Sequence, residues 1–235
     1  MTVKAPEAGM LRSLQIGRGL AALFVVLYHL NNSVWGIAKY FPDPFSPLLS
    51  FGNAGVQFFF VLSGFIIYLV HADDTGRPRR LLSFAFKRFV RVFPTYWVVL
   101  FAVLAALLMN PALGTLGERT VSRVAASVLL VPYPQDPIVS VAWTLEHELL
   151  FYLIFSIAIL NARIGKWVFV AWQAACLANT LVGSPDFPYG VIFSANNLLF
   201  SFGLAMAFLF RKWRCPAPGF VAIGGALAFL AVGLH

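Results

Sequence analysis

The sequence predicts an all-α fold, a polytopic transmembrane helical bundle with about seven spans in this chain, and three observations carry that prediction. Of 235 residues, 60% are hydrophobic and 11% charged, whereas soluble domains run at about 25% charged. Mean hydropathy is +0.82. The apolar stretches are long and continuous: a helical span needs roughly 20 mostly apolar residues, and a barrel strand would alternate with period two. The runs fall at 14–34, 56–71, 93–109, 143–160, 167–181, 191–210 and 220–234.

The first run holds "RGLAALFVVLYHL", with Arg18 and His29 at its two ends. Lys4 and Arg12 precede it as in a signal peptide, but no small-x-small cleavage site follows, so it reads as a retained helix. Arg18 and His29 are 11 residues apart, about 1100° of helical rotation and roughly 16 Å of rise, which puts them on one face at two depths. Ionisable groups inside a membrane are functional by default; otherwise an arginine there snorkels and a histidine bonds a neighbouring helix.

The second run contains "GVQFFFVLSGF", where Ser63 and Gly64 interrupt bulky residues. Small residues permit close helix approach, and they equally leave room for a ligand chain. Before the third run, "KRFVRVFPTYW" places Arg88 and Arg91 three apart, neighbours on a helix surface. Such a pair can grip phosphate oxygens or contact anionic lipid. The connection 110–142 carries "VAASVLLVPYP" at 124–134, too short to span and ending in prolines, and is expected to re-enter or lie in the interface.

The fourth run opens with "VAWTLEHELLFYLIF". Glu148 lies five residues below the outer end of its run and His29 five below the outer end of the first, so the two are expected at one depth. A carboxylate near an imidazole fixes its tautomer and raises its basicity, as a general base acting on a hydroxyl requires. Glu146 and His147 sit nearer the surface and read as interface residues. Runs five to seven add hydropathy and the buried amides Asn196 and Asn197; Cys176 and Cys215 have no metal-ligand spacing, and no metal is expected.

Charge orients the bundle. The net charge is +8, but placement matters more than the sum, and nucleic acid is not the implied partner. Assigning alternate connections to one side gathers 14 of the 17 basic residues there, leaving Lys39, Arg119 and Arg123 opposite. The N-terminus is therefore expected in the cytoplasm, in an integral, multi-pass cytoplasmic (inner) membrane protein whose lipids are its first partners.

Four features occur in order: Arg18-x10-His29, "GVQFFFVLSGF", Arg88-x-x-Arg91 with "VFPTYW", and "WTLEHELLFY". Together they resemble the acyltransferase 3 family of integral-membrane O-acyltransferases. The resemblance covers roughly residues 14–155 and implies a single transmembrane domain over 1–235. Relatives usually have about ten helices, so the chain is expected to be C-terminally short.

The resemblance implies an enzyme that moves an acyl group, commonly acetyl, from cytoplasmic acyl-CoA to a hydroxyl of a carbohydrate or glycolipid acceptor. It places the essential arginine-x10-histidine pair at Arg18 and His29, the donor-associated arginines at Arg88 and Arg91, and the acidic position at Glu148, among matching Trp143, Phe151 and Tyr152. His29 and Glu148 are the catalytic candidates. Arg18, Arg88 and Arg91 are the candidates for binding acetyl-CoA, and Ser63, Gly64, Trp143 and Tyr152 those for contacting substrate. The competing reading is a transporter or flippase of a lipid-linked sugar, with His29 and Glu148 as a proton relay.

Overall fold

The computed structural model describes residues 8–31, 49, 51–110, 120–183, 186–213, 216, 219–220 and 224–225. They form helices α1 (Ala8–His29), α2 (Ala54–His71), α3 (Leu81–Met109), α4 (Val121–Leu129), α5 (Trp143–Leu160), α6 (Ala162–Val182), α7 (Tyr189–Ile192) and α8 (Leu198–Lys212), joined in part by 3-10 turns. No strand occurs among the described residues. Four helical stretches there are long and apolar enough to cross a membrane: Phe51–Asp74, Pro78–Met109, Ser140–Leu160 and Tyr189–Lys212. They correspond to the second, third, fourth and sixth apolar runs. The first and fifth runs are the 22-residue α1 and the 21-residue α6, whose apolar character is diluted by Arg12 and Arg18 and by Arg163 and Lys166. Most of the seventh run lies outside the described residues.

Small residues set the helix contacts. A Cβ on Gly64 would collide with the Phe200 carbonyl, and one on Gly203 with the Val61 carbonyl, so α2 and α8 touch backbone to backbone. Gly55 brings α2 against Ala21 of α1, and Gly165 brings α6 against Ala158 of α5. Around these contacts Phe60, Phe84, Leu100, Phe151, Ile159 and Phe200 form the core. Phe151 and Phe200 stack at 4.4 Å, joining α5 to α8.

Two boundaries depart from the hydropathy reading. α3 begins at Leu81, so Lys87, Arg88 and Arg91 lie on the helix rather than in the connection before it. Hydropathy counts a charged residue as loop, but an arginine can keep its stem among apolar groups and satisfy its head elsewhere. The stretch at 124–134 is not one segment: α4 ends at Leu129 and an irregular loop follows. The last carbonyls of α4 receive Tyr96 Oη at Ser127 (2.7 Å) and Trp97 Nε1 at Val128 (2.9 Å), which satisfies helix-end acceptors and ties α4 to α3. Arg123 donates through Nε and Nη2 to the Asp136 carbonyl, and the Ile138 amide donates to Ser127 Oγ. The loop leading into α5 is thereby fixed, which gives the connection a structural task.

Candidate active site

At the end of the bundle where α1 finishes and α5 starts, His29, Asp136, Ser140, Val141 and Trp143 line an open cleft of about 390 Å³. His29 is half-buried, and its Nδ1 lies 2.8 Å from the Val25 carbonyl. A carbonyl can only accept, so Nδ1 carries the hydrogen and, in the neutral ring, Nε2 keeps the lone pair. The group that selects the tautomer is thus a backbone carbonyl one turn back on the same helix. The histidine supplies a base, Trp143 an aromatic face, and Asp136 and Ser140 polar side chains beside them.

Glu148 lies five residues beyond Trp143 on α5, about 7.5 Å along the axis. Its Oε1 accepts a hydrogen bond from Ser63 Oγ at 3.1 Å and a second from Tyr152 Oη. Two sequence candidates from different helices, Ser63 and Glu148, are therefore brought together with a third, Tyr152. The carboxylate expected beside His29 is instead engaged by these two hydroxyls, while Trp143 is the α5 residue that shares the cleft with His29. Gly64, next to Ser63, is occupied by the Phe200 backbone.

Deeper still, Tyr152 is buried at 4% exposure and its ring lies 5.6 Å from Arg88 Cζ; the Phe84 ring lies at the same distance. Arg88 thus stands near the middle of α5, whereas Arg91, three residues on, is exposed. Arg88 Nη2 contacts His71 Nε2 at 3.1 Å, and its Nε and Nη1 are shielded with no hydrogen-bond partner among the described residues. Each of those donors suits an anionic oxygen. Arg18 is exposed on α1.

Sequence reasoning missed Asp136, Ser140 and His71, and misplaced Glu146 and His147. Asp136 sits in a proline-flanked loop that hydropathy passes over, and His71 in a tail that reads as helix end. Glu146 and His147 are not surface groups: their exposures are 7% and 5%. His147 Nδ1 donates to Asn197 Oδ1 at 2.9 Å, and Asn197 Nδ2 donates to the Val191 and Ile192 carbonyls. This network locks α5 to the turn before α8, which accounts for one of the two amides that the sixth run left unexplained. Among the described residues, no group of three or more His, Cys, Asp or Glu is placed to hold a metal ion.

The site elements come from all four motifs that the sequence orders, and a family described as an acyltransferase domain matches residues 11–234. The chain belongs to the acyltransferase 3 family. Among curated proteins in this family's range of similarity, it is 29% identical over 194 residues to the exopolysaccharide production protein ExoZ of Rhizobium meliloti (strain 1021), covering 77% of this chain and 57% of that protein. It is 25% identical over 195 residues to the O-acetyl transferase of Shigella phage Sf6, covering 74% of this chain and 56% of the relative. The chain thus spans somewhat over half the length of these relatives. No solved structure matches the chain at a significant level.

Proposed function

We propose that this acyltransferase 3 protein transfers an acyl group, acetyl in the simplest case, from acyl-CoA to a hydroxyl of a carbohydrate acceptor. The observation that carries the reading is the His29 cleft: an imidazole whose Nδ1–H is held by Val25, beside Trp143, Asp136 and Ser140. An aromatic face with flanking carboxylate and hydroxyl suits a sugar, whose ring packs on the aromatic plane and whose hydroxyls hydrogen-bond the polar groups. The relatives' names, exopolysaccharide production protein and O-acetyl transferase, support the same acceptor class and reaction.

In this reading the acceptor lies in the cleft and His29 Nε2 takes the proton of its hydroxyl as the oxygen attacks the acyl carbonyl. The donor supplies that activated carbonyl as a thioester. When the carbon–sulfur bond breaks, the proton held by His29 is available to the departing sulfur. Arg88 and the exposed Arg91 hold the donor's anionic part, and Arg18, exposed on α1, is the third basic candidate for it. Glu148 keeps the Ser63 and Tyr152 hydroxyls in place between the two, and Tyr152 forms one wall against the Arg88 guanidinium. The basic end faces the cytoplasm, where acyl-CoA is found, and the cleft faces outward; α1 and α6 cross the membrane beside the four longer spans.

Purified protein incubated with radiolabelled acetyl-CoA tests this directly. His29→Ala is expected to abolish transfer to glycan while leaving acetyl-CoA binding within a factor of about two, because general-base loss costs on the order of 10²–10⁴ in rate. Arg88→Ala/Arg91→Ala is expected to weaken acetyl-CoA binding. A His29→Ala protein that still acylates at the wild-type rate would sink the assignment, and mass spectrometry of surface glycans with and without the gene identifies the acceptor.

A further inference from the structure

We propose that His71 and Asp74 are positioning residues for Arg88, holding its guanidinium so that Nε and Nη1 stay unpaired by protein and can each meet an anionic oxygen of the acyl donor. This rests on the donor reading above and adds two residues that neither the motifs nor the cleft supplied.

The hydrogen-bond chain determines every proton on the ring. Asp74 Oδ2 lies 2.8 Å from His71 Nδ1, and an ionised carboxylate only accepts, so Nδ1 donates. Arg88 Nη2 lies 3.1 Å from His71 Nε2, and a guanidinium only donates, so Nε2 holds the lone pair. His71 is therefore a neutral imidazole, buried at 3% exposure, that accepts from Arg88 on one side and donates to Asp74 on the other.

The choice of an imidazole at this position has a consequence. A carboxylate contacting Arg88 would hold the guanidinium equally well but would cancel its charge. The neutral ring fixes one nitrogen and leaves the positive charge in place, while Asp74, one imidazole removed, is also within 3.8 Å of Arg80. The Phe84 and Tyr152 rings, each 5.6 Å from Cζ, fix the remaining freedom of the guanidinium. What remains are Nε and Nη1, two unpaired donors on different sides of the guanidinium, each suited to a separate anionic oxygen. Buried donors left unmade are costly, and an arriving anion removes that cost.

The connection also reaches the centre of the site. Arg88 packs on Tyr152, and Tyr152 Oη bonds Glu148, so the orientation of Arg88 is coupled to the groups between donor and cleft.

Acetyl-CoA affinity of the full chain in nanodiscs tests the inference with wild type, Arg88→Ala, His71→Leu, His71→Gln and the His71→Leu/Arg88→Ala pair. His71→Leu is expected to weaken binding on the order of tenfold, the effect of a lost hydrogen bond to a charged group. Glutamine, which can still accept from Arg88, is expected to restore most of that loss. The double variant is expected to bind no worse than Arg88→Ala alone, because a residue acting through Arg88 has nothing left to act on. A merely structural histidine gives additive losses, and that result overturns the inference. So does Arg88-dependent binding that His71→Leu leaves unchanged, in which case the donor reading stands alone. Wild-type protein with no affinity for acetyl-CoA defeats the donor reading and this inference together. Should the leucine variant not fold, Asp74→Ala asks the same question: weaker binding supports the chain of three, and unchanged binding overturns it.

Discussion

Tyr152 does two separable things, because its ring walls Arg88 and its hydroxyl bonds Glu148. Tyr152→Phe keeps the first and removes the second, leaving Glu148 Oε1 with Ser63. The expected cost is about 1–2 kcal/mol of stability, with a fall in transfer rate and little change in acetyl-CoA affinity. Adding Ser63→Ala strips the remaining donor from a partly buried carboxylate oxygen, so the double variant is expected to melt lower than the two single losses predict. Thermal melts and initial transfer rates on the four proteins check this; additive melts would mean the two hydroxyls act independently. At this scale the sequence shows which residues are chemically unusual but not which of them meet. Ser63 and Glu148 are 85 positions apart, and nothing in either motif pairs them. Glu146, His147 and Glu148 are consecutive acid, base and acid, yet successive helical residues point about 100° apart and find different neighbours: His147 an amide of the α8 turn, Glu148 two hydroxyls.

Helix packing gives the next prediction. Gly203 of α8 has no room for a side chain, since a Cβ would meet Val61 backbone, whereas nothing lies within 4 Å of the corresponding position on Gly19 of α1. Gly203→Ala must therefore part α2 from α8 and is expected to lose about 2–3 kcal/mol, in the overpacking range. Gly19→Ala meets no obstacle and gains helix propensity, up to about 1 kcal/mol. Opposite shifts in melting temperature are expected, and a Gly203→Ala protein as stable as wild type would mean that the crossing is looser than its geometry. Tyr96→Phe, which removes one of the two ties between α4 and α3, is expected to raise the KM for acceptor more than that for donor, because α4 holds the Asp136 loop at the cleft. Continuous apolar runs made α1, α2, α3, α5, α6 and α8 legible in order, but not the short α4 and α7. Their edges were less so: Arg88 sits well inside α3 because aromatic rings and His71 receive it, and a partner from another helix has no trace in local hydropathy.

At the scale of the whole molecule, two observations constrain orientation together. α2 and α5 run the same way: Phe60 near the start of α2 meets Trp143 at the start of α5, and the Gly76 amide just past α2 donates to the Ala158 carbonyl near the end of α5. The His29 cleft is at the start of α5, and the basic turn with Arg77, Arg79 and Arg80 lies at its other end. The cleft and the basic turn thus belong to opposite faces of the bundle. Basic residues are retained on the cytoplasmic side during insertion, so the turn should be inside and the cleft outside. Arg79 and Gln135 are both exposed and mark the two faces. In protein with Cys176 and Cys215 replaced by alanine, Gln135→Cys should react with a membrane-impermeant maleimide in sealed right-side-out vesicles. Arg79→Cys should react only after permeabilisation. The reverse pattern would place the cleft inside with the acyl-CoA pool, and the route from Arg88 past Tyr152 and Glu148 would no longer join two compartments. If the expected pattern holds, the proposed reaction is vectorial by construction: in that proposal donor charge stays at the basic face, the acyl carbon passes inward, and His29 meets it from the side on which the acceptor lies.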